Sequence, residues 1–564
     1  MRGYQSTMPP ELFFGYPAQA AVRQLTVTWP SGKITSLTDP QPDKVLQLEE
    51  KDAMGSHTPA GQTGRLFTDI TKTSGLNFTH RENDFIDFKE EVLLPYQLSR
   101  EGPALAKGDV NGDKLEDIYL GGAIGQAGQL FLQTKDGKFM PAPGQPWLAD
   151  TVHEQVNALF FDADNDGDMD LYIVCGGNEY GDQSPEFQDL LYINDGKGRF
   201  TMAPASALPP MLSSKLAIAA GDYDQDGDLD LFIGGRGLSG SFPLPSKSYL
   251  LRNDSKDGIA HFTDVTDGIC PALRLPGMVT TAAWADVNND HYPELLLAGD
   301  WMSVLLFHNA KGILSDVAAK AGLTHLSGMW SSITALGPDK DGHIDFVLGN
   351  GGYNSQFRAS SSQPMTLYAA DFDDNGTIDP IFCYYIQGKS YPMASRDELL
   401  DQITALRKKF VHYSDYADAS LQDIFPRDKI AGARVYTCEQ LASGILHARD
   451  TEKYEFSSLP AEAQFSKVFA AIPDDFDGDG IPDLLIAGNF YPYRTQLGAC
   501  DASLALLLKG TAGGGYQPVD PAVSGLYAGG DVRRMVEIKT SSGERLLIVG
   551  KNNDAVQVLK INTR

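Results

Sequence analysis

The sequence predicts an all-β repeat protein, and three observations predict it. One acid-rich loop frame recurs seven times: DVNGDKLED from Asp109, DADNDGDMD from Asp162, DYDQDGDLD from Asp222, DVNNDHYPE from Asp286, GPDKDGHID from Gly337, DFDDNGTID from Asp371 and DFDGDGIPD from Asp475. Each copy runs straight into a short apolar stretch such as LFIGG after Asp230, which reads as a strand. The loop starts lie 53, 60, 64, 51, 34 and 104 residues apart. Four antiparallel strands with their turns need about 40 to 60 residues, and self-similarity of this period marks a solenoid, propeller or array.

The loop itself carries chemistry. In residues 222–235, DYDQDGDLDLFIGG, carboxylates stand at positions one, three, five and nine, with Gly227 at position six. That spacing bends the chain tightly and brings the carboxylates to one point, where they repel unless a cation sits among them. Ca²⁺ suits such a site because it takes six to eight oxygens at flexible geometry, whereas Mg²⁺ demands a near-octahedral shell. An EF-hand loop needs a bidentate Glu at position twelve, and here that residue is Ile233. A single copy is equally well read as an Asp/Gly-rich surface turn; seven copies are not.

Side-chain oxygens fill the four positions in Asp109/Asn111/Asp113/Asp117, Asp162/Asp164/Asp166/Asp170, Asp222/Asp224/Asp226/Asp230, Asp371/Asp373/Asn375/Asp379 and Asp475/Asp477/Asp479/Asp483, the seventh residue offering its backbone carbonyl. Asp286/Asn288/Asp290/Glu294 keeps four oxygens but has His291 where Gly usually stands. The fifth loop begins at Gly337, loses one ligand beside Asp339, Asp341 and Asp345, and is expected to bind weakly or not at all. About five or six Ca²⁺ ions are therefore expected.

These copies resemble FG-GAP/VCBS repeats, the Ca²⁺-loop blades of integrin-α-type β-propellers, over roughly residues 65–564. The resemblance implies a β-propeller of four-stranded blades. Inner-strand candidates lie near Ala104, Ala158, Ala217, Thr281, Ile333, Leu367, Phe469 and Val536, which gives eight blades, or seven if the short fifth unit merges with the sixth. The last unit, residues 533–561, has no acid loop and stops one strand short. LFTDI at residues 66–70 matches HFTDVT at 261–266 and is an orphan outer strand. Pairing the two closes the ring and hides two sheet edges that otherwise invite aggregation.

Two regions depart from the repeat. Residues 1–50 contain LFFG at 12–15, VRQLTVTWPSGKI at 22–34 and KVLQLEE at 44–50, a small β unit with a turn at Pro30-Ser31-Gly32. The words FG and V-x-W-P-S-G-K resemble the C-terminal part of the ASPIC/UnbV domain, found beside such repeats in cartilage-acidic-protein-like and bacterial surface proteins. The chain is thus expected to be a fragment or to start at an internal Met. Residues 51–64 read as a polar, Gly-rich linker. Residues 388–465 fill the 104-residue spacing as a mainly helical insertion. There Ser395 and Glu398 form a capping box, and Leu399, Ile403, Leu406 and Phe410 give one apolar face up to residue 410. A second helix is expected over 415–425. The insertion reads equally as decoration on one face and as a lid or partner-binding element.

Composition narrows the function. The net charge is −28, and the seven nine-residue loops hold 28 of the 74 acidic residues, so bound Ca²⁺ offsets much of the charge. Binders of nucleic acid carry basic patches, and anionic lipid attracts basic segments; neither fits. The five cysteines, Cys175, Cys270, Cys383, Cys438 and Cys500, lack CxxC spacing and read as buried small hydrophobes. No apolar run reaches a membrane span, and no signal peptide is visible. No GxSxG, HExxH or phosphate-cradling loop is present, and His80 and His153 read as structural. Carboxylate pairs can cleave glycosides, but here each pair sits in a metal loop. Extracellular Ca²⁺ modules bind with dissociation constants of ~10⁻⁴ to 10⁻³ M, so the chain is expected outside the cell or on the outer-membrane surface. The expected function is a non-enzymatic binding or adhesion module for a protein or glycan. The alternative is a Ca²⁺-dependent polysaccharide-processing enzyme of the lyase-propeller kind.

Overall fold

A computed structural model describes residues 21–29, 33–41, 43–53, 55–56, 65–338, 342–450 and 452–562. The expected LFFG element, the turn at residues 30–32 and the ligands Asp339 and Asp341 lie outside these residues. The chain divides into two compact units, Met1–Gly64 and Arg65–Arg564. In the first, Gln24–Thr28 and Lys33–Thr38 pair antiparallel from Gln24↔Thr38 to Thr28↔Ile34, and Gly55–Ser56 adds a third short strand. Residues 44–49 form no strand.

The second unit is nearly all β, and its described residues form eight sheets of four antiparallel strands, one of them extended by a fifth short strand. Seven sheets are propeller blades. Their innermost strands are Leu105–Gly108, Gln155–Phe161, Lys215–Gly221, Met278–Ala285, Ser332–Ala335, Val468–Asp474 and Val532–Lys539. Each packs beside the next in this order, and the last returns to the first, so the ring is closed. Second strands such as Asp170–Cys175 and Asp230–Gly235 are buried along their whole length, because neighbouring blades cover both faces.

The ring closes through the orphan strand. Phe67–Asp69 pairs antiparallel with Gln557–Ile561, in register Ile561↔Phe67, Lys560↔Thr68 and Leu559↔Asp69. Residues from both ends of the unit thereby complete the seventh blade, as the match between LFTDI and HFTDVT predicts.

The eighth candidate, near Leu367, is corrected. Its strand Met365–Ala370 lies in a sheet of order Lys389–Pro392, Asp379–Ile386, Met365–Ala370, Arg434–Cys438, which is not part of the ring. That sheet and the helices are inserted between the second and third strands of the fifth blade, Phe346–Gly349 and Gly444–Asp450. The short fifth unit is therefore a whole blade. Its outer strands, Gly444–Asp450 and Lys453–Ser458, lie within the stretch that the sequence assigns to the helical insertion. An acid loop specifies a β-hairpin, and a hairpin serves a blade and an inserted sheet equally well.

Within the insertion the capping box forms as expected, with Ser395 capping Glu398 N. The helix is shorter than predicted. It runs Arg396–Gln402 and continues as a 3₁₀ turn, Thr404–Lys408, although Leu399, Ile403 and Phe410 are still buried together. The expected second helix is two short turns, Tyr413–Tyr416 and Leu421–Ile424, followed by Arg427–Gly432.

Candidate metal centres

The acid loops share one backbone path. In the loops beginning at Asp109, Asp162, Asp222, Asp286, Asp371 and Asp475, positions four and six both have positive φ. Glycine takes that conformation freely. His291, at position six of its loop, adopts φ +75 all the same. The bend turns the amides of positions five and six onto the first carboxylate. Asp290 N donates to Asp286 Oδ1 at 3.1 Å and His291 N to Oδ2 at 2.9 Å; Asn375 N and Gly376 N meet Asp371 at 2.9 and 2.8 Å. The loop is thus shaped by its own carboxylates before any ion arrives.

Position nine does a second job. Asp170 accepts from Ala163 N at 2.9 Å with one oxygen and from Asn194 N, at the end of the third strand, at 2.8 Å with the other. Asp230 does the same with Tyr223 N and Asn253 N, Asp117 with Val110 N and Gln133 N, and Asp483 with Phe476 N and Gly510 N. Each carboxylate pins its loop to the third strand of the blade. In the fifth blade Asp345 accepts from Ala448 N at 2.8 Å, across the whole insertion. Asp379, off the ring, finds only the side chain of Gln402 in that place.

The gathering of oxygens differs among the loops. Asp162/Asp164/Asp170, Asp222/Asp224/Asp226, Asp371/Asp373/Asp379 and Asp475/Asp477/Asp483 each bring three carboxylate oxygens within 4.8 Å of one another. The Asp109 and Asp286 loops, with Asn111 and Asn288 at position three, are not among these groups. Asp222 Oδ1, Asp224 Oδ1 and Asp373 Oδ1 are buried with no hydrogen-bond partner, so the donor set fits a hard cation. Burial pushes Asp170 up to about 7 and Asp230 up to about 8, and neighbouring carboxylates add to the effect in the same direction. Such crowding favours protons, and a bound dication would replace them.

Position five is the most exposed of the four ligand positions. Asp113 and Asp166 are exposed, and Asp162, Asp164 and Asp170 gather without Asp166. Leu115 N donates to Asp113 Oδ1 at 2.9 Å, and Asp168 N donates to Asp166 Oδ1 at 3.1 Å. Each side chain thus serves the amide two residues on, as an Asx turn does, and Asn111 and Asp164 at position three do the same. Asp290, Asn375 and Asp479 are exposed in the same way, with Tyr292 N, Thr377 N and Ile481 N as their donors. Asp226 alone combines exposure at this position with a place in a gathered group, and its bond from Asp228 N is longer, at 3.4 Å.

Several side chains bear on the loops that the sequence reading passes over. Asp168 and Asp228, at position seven, add carboxylates whose Oδ1 atoms are likewise buried and unpartnered, and burial beside the other acids raises both to about 6. Lys509 places its ammonium on Asp477 and, at 2.7 Å, on Asp479, so the last loop has a cation of its own. Lys429 pairs with Asp374, and His308 lies 3.2 Å from Glu294. Buried amides link consecutive blades: Asn194 Nδ2 donates to Val110 O at 2.8 Å, and Asn309 Nδ2 to Tyr223 O at 2.8 Å. Their sequence signal is an Asn closing the third strand just before a turn.

One further group, His80/Glu82/Glu154, lies outside the loops. His80 Nδ1 accepts from Asn553 N at 3.1 Å, and burial drives the imidazole pKa down to about 3. The ring is neutral with its proton on Nε2, which leaves no lone pair for an ion. Cys175, Cys270, Cys383 and Cys438 are buried free thiols, and Cys500 is half-buried and free.

Fold and loops together define a β-propeller with acidic repeat loops. Residues 109–173 and 162–233 each match the family model described as FG-GAP-like repeat, and residues 1–55 match the one described as ASPIC and UnbV. No curated protein matches the chain. Among solved structures, the V. cholerae biofilm matrix protein Bap1 is 11% identical, with a TM-score of 0.35, over 88% of this chain and 91% of that chain. The Dos1 propeller is 9% identical (TM-score 0.38; 83% and 95% covered), and Saccharomyces cerevisiae Sqt1 is 13% identical (TM-score 0.39; 83% and 98% covered). Among the described residues no helix is long and apolar enough to cross a membrane.

Proposed function

We propose that the chain is a Ca²⁺-stabilised, non-catalytic propeller of the extracellular space or cell surface that binds a protein or glycan partner. The observation that carries this reading is the set of buried, unpartnered carboxylate oxygens gathered in loops of one backbone form. Asp162/Asp164/Asp166/Asp170, Asp222/Asp224/Asp226/Asp230 and Asp371/Asp373/Asn375/Asp379 would hold Ca²⁺ through side-chain oxygens, with Asp166 and Asn375 turning in from the solvent edge. Asp475/Asp477/Asp479/Asp483 would do so once Lys509 moves aside. Asp109/Asn111/Asp113/Asp117 and Asp286/Asn288/Asp290/Glu294 carry an amide at position three and would hold Ca²⁺ through three carboxylates and that amide oxygen. When bound, the ion supplies positive charge that lets crowded carboxylates stay ionised.

Such sites favour a compartment rich in Ca²⁺, since cytosolic levels would leave extracellular-type loops empty. The match to FG-GAP-like repeats supports a binding or adhesion role. The test is a glycan array and a pull-down from extracellular matrix and cell-surface fractions, each with and without Ca²⁺. Retention of a specific partner that is lost on chelation supports the reading. Turnover of a polyuronate by the purified protein would overturn it.

A further inference from the structure

At the axis of the ring, the starts of several inner strands enclose a cavity of about 20 Å³. That is room for one occupant of about the size of a water molecule. Arg236, Lys467, Arg533 and Arg534 line it, with Glu101 and Asp300. Arg236 gives Nε to Glu101 at 3.2 Å and Nη2 to Asp300 at 2.6 Å, yet its buried Nη1 has no acceptor. Arg533 gives Nε and Nη2 to Asp531 at 2.7 and 3.0 Å, and its buried Nη1 has none either; the closest carboxylate oxygen, on Glu101, is 3.8 Å away. The ammonium of Lys467 lies 3.6 Å from Asp300 Oδ1 and 4.9 Å from the centre of the Phe490 ring.

A buried donor without an acceptor is costly, and more so on a charged group. Here two guanidinium edges face the cavity unspent, against one unpartnered acceptor, Asp300 Oδ1. The nearby hydroxyls are used elsewhere: Thr280 Oγ1 donates to Trp330 O and Ser331 Oγ to Val468 O. Charge leans the same way. The four cations face three carboxylates, those of Glu101, Asp300 and Asp531, which leaves one positive charge in excess.

We propose that this axial cavity binds a single monovalent halide, chloride in nature, held by Arg236, Arg533 and Lys467. The cavity has room for one small occupant, and a halide is one. A water molecule could accept from the guanidinium groups but would leave the charge uncompensated.

The test is direct and uses the full chain. Crystals grown in sodium chloride and transferred to sodium bromide are measured at the bromine absorption edge. An anomalous peak between Arg236, Lys467 and Arg533 is expected. A light-atom peak without anomalous signal there means ordered water and overturns the proposal. In solution, replacing chloride by gluconate at constant ionic strength and constant Ca²⁺ is expected to lower the Tm, with recovery that saturates as halide is added back. A Tm indifferent to halide contradicts it. Lys467→Met keeps an unbranched stem and removes the excess charge; its crystals are expected to lose the bromide peak, and a peak of undiminished height would count against the role of Lys467.

Discussion

Replacing Phe67 by Ala tests how the ring is closed. Phe67 is fully buried in a strand of only three residues, Phe67–Asp69, and pairs with Ile561. It packs in a cluster with Phe476, Leu526, Leu559 and Ile561, its ring centroid 5.7 Å from that of Phe476. Truncating a buried Phe to Ala costs about 3–5 kcal/mol, through lost transfer energy and the cavity left behind. An unfolding entropy of ~2.1 cal/mol/K per residue over roughly 500 residues is ~1 kcal/mol/K, so Tm should fall by about 3–5 °C if the ring unfolds as one unit. Calorimetry reads the shift, and size-exclusion chromatography reads association through the two edges that a loosened strand exposes. Lys72→Ala, on an exposed neighbour, is the control. A chain lacking residues 1–64 should keep the Tm of the second unit, whereas one lacking 1–72 should aggregate. If Phe67→Ala matched the control, the strand would not be what closes the ring.

Three further outcomes follow from the geometry. Lys509→Met removes the ammonium from Asp477 and Asp479 and should tighten Ca²⁺ binding at the Asp475 loop severalfold by titration calorimetry; unchanged affinity would mean that Lys509 does not compete. Asn309→Ala strips the donor from Tyr223 O and Pro293 O and the acceptor from Gly312 N, and should cost about 2–3 kcal/mol in urea unfolding; a cost near zero would remove the inter-blade role. Glu82 is raised to about 7 by burial, so the folded state holds a proton that the unfolded state releases near 4.5. Stability should therefore fall as pH rises from about 4.5 to about 7, by about 3 kcal/mol at most. Glu82→Gln mimics the protonated acid and should flatten that slope; an unaltered pH profile would show that Glu82 is not its source.

The repeat loops and the closing strand are legible in the sequence because each is local. A carboxylate at position one shapes its own loop, and the residues 66–70 carry the same words as a complete outer strand. Blade membership is not local. Asp345 is pinned by Ala448, about a hundred residues on, while Asp379 is pinned by Gln402 of a helix, and nothing within either loop says which. That is why the Asp371 hairpin reads as an eighth blade and lies off the ring. The helix beginning at Arg396 stops early for a related reason: the apolar spacing fixes which residues are buried, and the turn at Thr404–Lys408 buries them without continuing the helix. Within the loops, spacing alone does not show which side chains are exposed. Positions three and five are alike in spacing and in the amide that each serves, yet Asp113 and Asp166 are exposed. Position seven misleads in the opposite sense. Its expected role is a backbone carbonyl, and only packing shows that the Oδ1 atoms of Asp168 and Asp228 are buried without a partner.

The central claim is that the acid loops are Ca²⁺ sites that stabilise the propeller. Native mass spectrometry paired with calorimetry tests it most directly. At least three Ca²⁺ per chain are expected, one each for the Asp162, Asp222 and Asp371 loops. The Tm is expected to drop on chelation and to return with Ca²⁺ but not with equal Mg²⁺, because the ion binds the folded state alone. A metal-free mass at millimolar Ca²⁺, with a Tm that chelation does not move, would contradict it.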